Sequence, residues 1–307
     1  MSHIPVLLKE TINALNIKKN GIYIDGTFGN GGHTKEILKY LGQSGKLYSI
    51  DQDIKSVNKG KKIKDKRFSI IFGKFSKKIP YIYKKNKKKK IDGILLDLGI
   101  SSNQINQNDR GFSFMKNGLL DMRMNNTTGI PAWKWLKKSS QKEIEKVLRK
   151  YGEERYSKKI SYAIYNRNKK KTITQTLDLV QIIKKAIPKI DKYKHPATRT
   201  FQAIRIHINN EIKELKKTLK ISIKILKKKR RLVIICFHSL ENRIVKNFFK
   251  KHGKTFFIPR GLPITEKKIK KIENKKIKII KKIKPKKTEI QKNKRSRSAI
   301  LRIAEML

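Results

Sequence analysis

The chain of 307 residues holds a single cysteine, Cys236. No disulfide can close within it, and because the thiol falls in the apolar run RLVIICF its place is in packing. A run of about eighteen apolar residues is also missing, and MSHIPVLLKE is too short and too polar for a secretory signal. Both absences predict a cytoplasmic protein without a membrane segment. Six scattered histidines and one cysteine show no ligand spacing, so no metal site is expected. Acidic residues are scarce: 23 Asp+Glu stand against 79 Lys+Arg, a formal charge of +56. Such a balance points at a polyanion such as RNA. Only 15 of the 79 are arginine, however, and lysine, isoleucine and asparagine abound throughout, as drift toward A/T-rich codons would leave them. The lysine runs at 84–90, 169–171, 227–229 and 267–287 therefore read as solvated surface, and arginines inside ordered motifs carry more weight.

What is present begins with 37% apolar residues, enough to build the core of one large domain, alone or with an insertion. The stretch GIYIDGTFGNGGHT, Gly21 to Thr34, reads as a buried strand, a glycine-rich turn and a helix start. Bare backbone at a helix N-terminus makes a seat for a nucleotide. A second apolar run, Lys46 to Ile50, ends at Asp51, where a doubly wound sheet places a carboxylate against ribose hydroxyls. The pair fits NAD and S-adenosylmethionine equally, and a structural turn with a solvated aspartate is the plain alternative.

Further along, RFSIIF (67–72) predicts a third strand followed by Phe75, which either stacks on an adenine or packs as core. The continuous apolar run IDGILLD (91–97) predicts a doubly covered fourth strand, and its end, DLGISSNQ (97–104), lies where open α/β sheets do chemistry. Residues 110–124, RGFSFMKNGLLDMRM, have no clear period; they lid a site or pack locally. Helical patterns at about 132–138, 141–151, 154–168 and 177–187 follow with no strand among them. We read residues 1–105 as the first part of an α/β core, 106–199 as an inserted helical domain and 200–307 as the core's second part. A long helix is expected from His195 through Leu226, with Arg199 and Arg205 near its start, then a buried strand Leu232–Phe237 ending in His238, Ser239, Glu241 and Arg243. The lead-in His3–Leu8 precedes a helical turn, 251–292 reads as a lysine-rich surface loop, and SAILRIA (298–304) as a closing strand.

Ten stretches, in order and at compatible spacing, give the chain a resemblance along nearly its whole length to the bacterial 16S rRNA (cytosine-N(4))-methyltransferases, the RsmH (MraW) family. They are HIPVLL (3–8), YIDGTFGNGGHT (23–34), IDQD (50–53), DGILLDLGISS (92–102), RGFSFM (110–115), LDMRM (120–124), YGEER (151–155), HPATRTFQAIRI (195–206), FHSLE (237–241) and SRSAILRIAE (296–305). The resemblance implies a class I S-adenosylmethionine-dependent methyltransferase fold, a Rossmann-like doubly wound sheet interrupted by a small helical domain that helps hold the rRNA. It implies as substrate a cytidine of 16S rRNA near the ribosomal P site, and we expect the assembled small subunit to present it. Family cofactor contacts fall on Gly31, Gly32, His33, Asp51, Phe75, Asp97 and Gln104. For the chemistry the expectation is that Ser101 or Ser102, or nearby carbonyls, hold the target amine beside Asp97, with His238 or Glu241 as proton acceptor. Arg110, Phe112, Phe114 and Arg123 are expected to line the entry for a flipped base, unless the two aromatics simply pack, and Arg199 and Arg205 to meet RNA. Where the family has Gly-Gly before the FHSLE strand this chain has Lys229-Arg230, which removes residues that accept positive φ. Two other classes stay open on residues alone. A nicotinamide oxidoreductase explains the first half but not the second-half motifs, and a non-enzymatic RNA-binding factor explains the charge but not the cofactor seat.

Overall fold

The computed structural model describes residues 5–189, 195–253 and 275–307. They fall into two compact units, Met1–Gly99 with Glu214–Leu307, and Ile100–Lys213. The inserted unit thus runs beyond the 106–199 read from sequence, because the helix Thr198–Asn209 packs on the helix Gln141–Gly152 of the insertion.

The first unit is built on a seven-stranded sheet ordered β3-β2-β1-β4-β5-β7-β6. Its strands are β1 (Ile22–Asp25), β2 (Lys46–Asp51), β3 (Phe68–Phe72), β4 (Ile91–Asp97), β5 (Leu226–Cys236), β6 (Ile277–Ile283) and β7 (Ile300–Met306). β1 to β5 are mutually parallel, and β7 runs antiparallel between β5 and β6. The central strands are rich in apolar residues because both faces are covered, with Ser49 in β2 and Asp92 in β4 as buried polar exceptions. Ile94, Leu96 and Ile234 face a core shared with α4 (Phe75–Lys85), α11 (Glu211–Ile225) and α12 (Ser239–Gly253). Leu95, Val233 and Ile235 face the opposite core, shared with α1 (Leu8–Leu15) and α2 (Gly32–Tyr40). The strand order reverses at β1 and β4, so their carboxyl ends border the crevice where such sheets take ligands. α3 (Ile54–Lys61) completes the parallel half.

The second unit is helical: α5 (Ser102–Asn106), α6 (Ala132–Lys138), α7 (Gln141–Gly152), α8 (Ser157–Lys170), α9 (Thr176–Ala186) and α10 (Thr198–Asn209). Its core joins Leu136, Ile144, Leu148, Ile160, Ile164, Leu179, Ile183, Phe201 and Ile204.

Three expectations are corrected. The single long helix from His195 to Leu226 is two helices, broken at Asn210 (φ 55°, ψ 31°), a residue type that tolerates the left-handed conformation; Leu226 already belongs to β5. The lysine-rich stretch 251–292 is not a continuous loop: it carries the end of α12, then β6, then α13 (Lys287–Lys292), while 254–274 lie outside the described residues. β6 (IKIIKKI) escaped reading because lysines occupy the solvent side of an edge strand and blur its alternation. The closing strand is Ile300–Met306. Of the lead-in, His3 and Ile4 lie outside the described residues.

The Lys229 departure has a structural counterpart, since Lys229 sits exposed in β5 with φ 58°, the conformation glycine would supply at no steric cost. Lys229→Gly is expected to stabilise the chain by about 0.5–1 kcal/mol, the relief of the left-handed strain less glycine's unfolded-state entropy. Urea unfolding of the two proteins checks it; a loss of stability would rule the strain out.

Candidate active site

β1 runs out at Asp25, whose carboxylate is fully buried and organises four elements. Its Oδ1 accepts the Thr27 N–H at 3.1 Å and its Oδ2 accepts the Thr34 hydroxyl of α2 at 2.7 Å. The Thr34 hydroxyl lies 2.7 Å from that of Ser49 on β2, and Thr27 Oγ1 accepts the Asp97 N–H of β4 at 2.6 Å. Burial pushes the Asp25 carboxyl above its ordinary range, with the hydroxyl and amide donors opposing. The sequence reading did not single out Asp25, although an acid one residue before the glycine turn was the available signal.

Asp51 closes β2 and holds the turn from the other side: its Oδ2 accepts the Gly29 N–H and its Oδ1 the Asp53 N–H, both at 2.8 Å. Each oxygen keeps a lone pair for an incoming hydroxyl. Burial, and then the repulsion of Asp53 and Asp25, raise this carboxyl to about 6 against two opposing amide bonds. Gly31 caps α2 in the left-handed conformation (φ 76°), and a Cβ there would lie 2.7 Å from the Phe28 ring. Phe75 opens α4, half-buried, with one side against the core. Its ring packs on the core and keeps part of its surface exposed.

Asp97 ends β4. Its Oδ1 is buried without a hydrogen-bond partner, and its Oδ2 lies 3.7 Å from His33 Nδ1. Burial pushes its carboxyl well above the usual carboxylate range, reinforced by Asp25 and Glu241. His33 is buried, and its Nε2 lies 3.2 Å from the Val6 carbonyl oxygen. A carbonyl only accepts, so Nε2 carries the hydrogen, and in the neutral ring Nδ1 turns an acceptor toward Asp97. The two groups attract when one extra proton is shared between them.

β5 leads into Phe237 and α12. Glu241 is buried; its Oε2 accepts the Phe237 N–H at 2.8 Å and the His238 N–H at 3.4 Å. His238 Nδ1 accepts the Glu241 N–H at 3.4 Å, and Nε2 stands 3.1 Å from Glu241 Oε1 but out of line for a hydrogen bond. Both side chains are thus tied into the start of α12. None of Asp25, Asp51 and Asp97 has a lysine or arginine at ion-pair distance among the described residues, in a chain of charge +56.

In the helical unit, Ser101 caps α5: its Oγ accepts the Gln104 N–H at 3.3 Å and Gln104 Oε1 accepts the Ser101 N–H at 3.1 Å. Ser102 is the half-exposed first residue of that helix. The proposed base entry is corrected here. Arg110 is buried, its Nη2 donating to the carbonyls of Arg123 (3.0 Å) and Met124 (2.8 Å), and its guanidinium lies over the Phe112 ring. Phe112 is core, and Phe114 stacks on His195 with ring centroids 4.7 Å apart and meets Phe201 edge-on, so both aromatics pack. Arg123 forks onto Asp121 and Arg205 onto Glu211. These arginines build the unit, and phosphate would have to displace a carboxylate to reach Arg123 or Arg205. Arg199 is half-buried in the first turn of α10.

The carboxylates fit a cationic cofactor with hydroxyl donors: Asp97 Oδ1 is an orphaned buried acceptor and Asp51 has acceptor capacity to spare. The model of the MraW methylase family matches residues 1–307. A protein of Buchnera aphidicola subsp. Baizongia pistaciae called ribosomal RNA small subunit methyltransferase H is 58% identical over 306 residues, covering 99% of this chain and 97% of its own. Its namesake from Buchnera aphidicola subsp. Schizaphis graminum is 57% identical over 306 residues, covering 100% and 98%. The crystal structure of an rRNA methylase from Streptococcus thermophilus aligns over 100% of this chain and 99% of its own at 11% identity, with a TM-score of 0.43. With every residue inside the family match and more than half identical to each of two relatives, the chain belongs to the MraW methylase family and is a methyltransferase.

Proposed function

We propose that the protein transfers a methyl group from S-adenosylmethionine to the exocyclic N(4) amine of a cytidine in 16S rRNA near the ribosomal P site, with the small subunit as substrate. The relatives are named for small-subunit rRNA, and the sequence resemblance supplies the base and atom. One observation favours the amine over ring carbon. Methylation at cytosine C5 calls for a thiolate to add to the ring, and the one cysteine, Cys236, is buried in β5 with its thiol pushed well up by burial and by Glu241. Direct displacement by the amine needs no protein nucleophile.

Bound at this site, S-adenosylmethionine supplies an electrophilic methyl on a sulfonium. The residues that hold it are Gly31, Gly32 and His33 at the turn, Asp51 for ribose hydroxyls, Phe75 for adenine, and Asp97 and Gln104. The amine's lone pair is delocalised into the ring, so alignment and an acceptor for its hydrogen carry the catalysis. Ser101 and Glu241 are engaged at helix starts and His238 Nδ1 by a backbone amide, so His238 Nε2 and the Asp97–His33 pair are the groups placed to take the proton once the N–C bond forms and the C–S bond breaks. Ser102 keeps a hydroxyl to orient the amine. In the cell the reaction belongs to the cytoplasm, where small subunits are assembled.

Asp51 gives this reading a pH signature. A carboxylate accepts from ribose hydroxyls and a carboxylic acid does so poorly, so cofactor affinity is expected to be flat above pH 7. It should then fall by up to tenfold per unit below the Asp51 pKa of about 6. Calorimetric titration with S-adenosylmethionine from pH 5 to 8 checks this, with Asp51→Asn flat and weak throughout; a flat wild-type profile would remove Asp51 from the cofactor. The reaction itself is tested with labelled S-adenosylmethionine and small subunits from a strain lacking the modification, followed by nucleoside mass spectrometry. Label in N(4)-methylcytidine is the expected result, and label in any other nucleoside overturns the proposal.

A further inference from the structure

The helical unit carries a surface that its own packing does not use. α8 buries Ser157, Ile160, Ser161 and Ile164. At ~100° per residue, Lys158, Tyr162, Tyr165 and Lys169 fall within an arc of about 60° to one side of that buried face. Tyr162 is 59% exposed, and Tyr165 is half-exposed with the Lys169 ammonium 4.7 Å from its ring centroid. Just before the helix, Arg155 lies over the half-buried Tyr156 ring. Neither Tyr162 nor Tyr165 makes a hydrogen bond among the described residues. Residues 155–171 hold seven lysines and arginines and no acid.

We propose that this face of α8 is a binding surface for single-stranded RNA, on which Tyr162 and Tyr165 stack unpaired bases while Lys158 and Lys169 meet the flanking phosphates. Drift toward lysine accounts for cations on any face, but not for two solvent-facing aromatic rings without a hydrogen bond set between them. Side chains three apart on a helix stand ~5–6 Å from each other, so the rings offer neighbouring platforms to a strand whose bases are splayed. The two lysines lie about 16 Å apart along the axis and bracket the rings. Stacking tolerates any base, so the surface holds RNA without reading it and leaves selection to the catalytic cleft. The choice of RNA as ligand rests on the proposed function; the surface itself rests on the exposed rings and their charges.

The test uses the full chain and a short, unstructured, fluorescein-labelled pyrimidine RNA, read by anisotropy at several salt concentrations. Y162A/Y165A is expected to weaken binding at least tenfold with the salt slope unchanged, and Y162F/Y165F to bind as wild type. K158Q/K169Q should lower the slope of log K against log salt by about 1.4, at ~0.7 per phosphate contact on a single strand. Calorimetry with S-adenosylmethionine reports folding, and if the alanine pair fails it, the exposed lysine pair and the phenylalanine pair carry the decision. Unchanged RNA affinity in Y162A/Y165A, an unchanged slope in K158Q/K169Q, or competition by polyglutamate as strong as by RNA would each overturn the proposal. Wild-type protein that bound the oligonucleotide through these residues yet methylated no small subunit would sink the proposed function and leave this surface standing.

Discussion

Asp97→Asn is expected to cut methyl transfer by at least about 100-fold while making the protein more stable at pH 8 by on the order of 1 kcal/mol. The loss follows from removing the one buried acceptor without a partner at the end of β4. The gain follows from what the carboxyl endures in the absence of ligand. Asp97 is desolvated and sits in the field of Asp25 and Glu241, so its folded pKa is raised above the unfolded one. A raised acid binds its proton more tightly in the native state, so its contribution to stability is greatest at low pH. That contribution is lost as pH rises from the unfolded value toward the folded one. Asparagine is isosteric with the protonated form, and its amide N–H can face His33 Nδ1 as the acid's hydrogen would. Wild type and variant should therefore converge in urea unfolding as the pH approaches 4 and separate toward pH 8, with the variant the more stable. Equal pH dependence in the two would mean that Asp97 is not strained in the folded chain. A site that holds three carboxylates without a lysine or arginine at ion-pair distance releases that cost when a cation and hydroxyl donors arrive, which is how such a pocket favours its ligand.

The parallel half of the sheet was legible because doubly covered strands are mostly apolar, and IYID, KLYSID and IDGILLD each end in an acid that marks the strand's carboxyl end. The same contrast located Asp51 and Asp97. Asp25 was passed over because a carboxylate that ends a strand looks the same whether it faces water or ties four elements together; only the partners Thr27, Thr34 and the backbone of β4 distinguish the cases. His33 owes its burial to Val6, a contact across 27 residues that no local pattern encodes. Amphipathic periodicity found α6 to α9 within a few residues, but it carried straight through Asn210, where the apolar spacing resumes after a break. The arginines of 110–124 were misjudged for a related reason. Composition says that a guanidinium is there, whereas its direction is decided by carbonyls at Arg123 and Met124 that themselves depend on Asn209, whose side chain accepts the Met124 N–H and donates to the Met122 carbonyl.

That aperiodic segment makes the second large effect a matter of backbone. Gly118→Ala is expected to cost about 3 kcal/mol or more, at or beyond the upper end for overpacking, because the added carbon would stand 1.8 Å from the Asn108 carbonyl oxygen. A side chain in the way can turn aside, but here the obstacle is main chain and the glycine is pinned opposite it. Gly118 N–H donates to Thr176 Oγ1 at 3.1 Å and its carbonyl accepts the Thr176 N–H at 2.9 Å, while the Thr176 hydroxyl donates to the Lys116 carbonyl at 2.8 Å. Neighbouring Leu120 N–H bonds the Thr174 carbonyl at 2.8 Å, so relieving the clash means detaching the loop from the start of α9. Gly129→Ala in the same segment is the control: its φ of 80° disfavours a side chain by about 1–2 kcal/mol, but nothing lies within 4 Å of the new carbon. Urea unfolding and amide exchange over 107–131 should separate the two variants widely, and similar losses would mean that Gly118 is not in contact with Asn108. Methyl transfer should suffer more than cofactor affinity in Gly118→Ala, since the carboxylates Asp25, Asp51 and Asp97 belong to the other unit and their strands need nothing from this loop to pair.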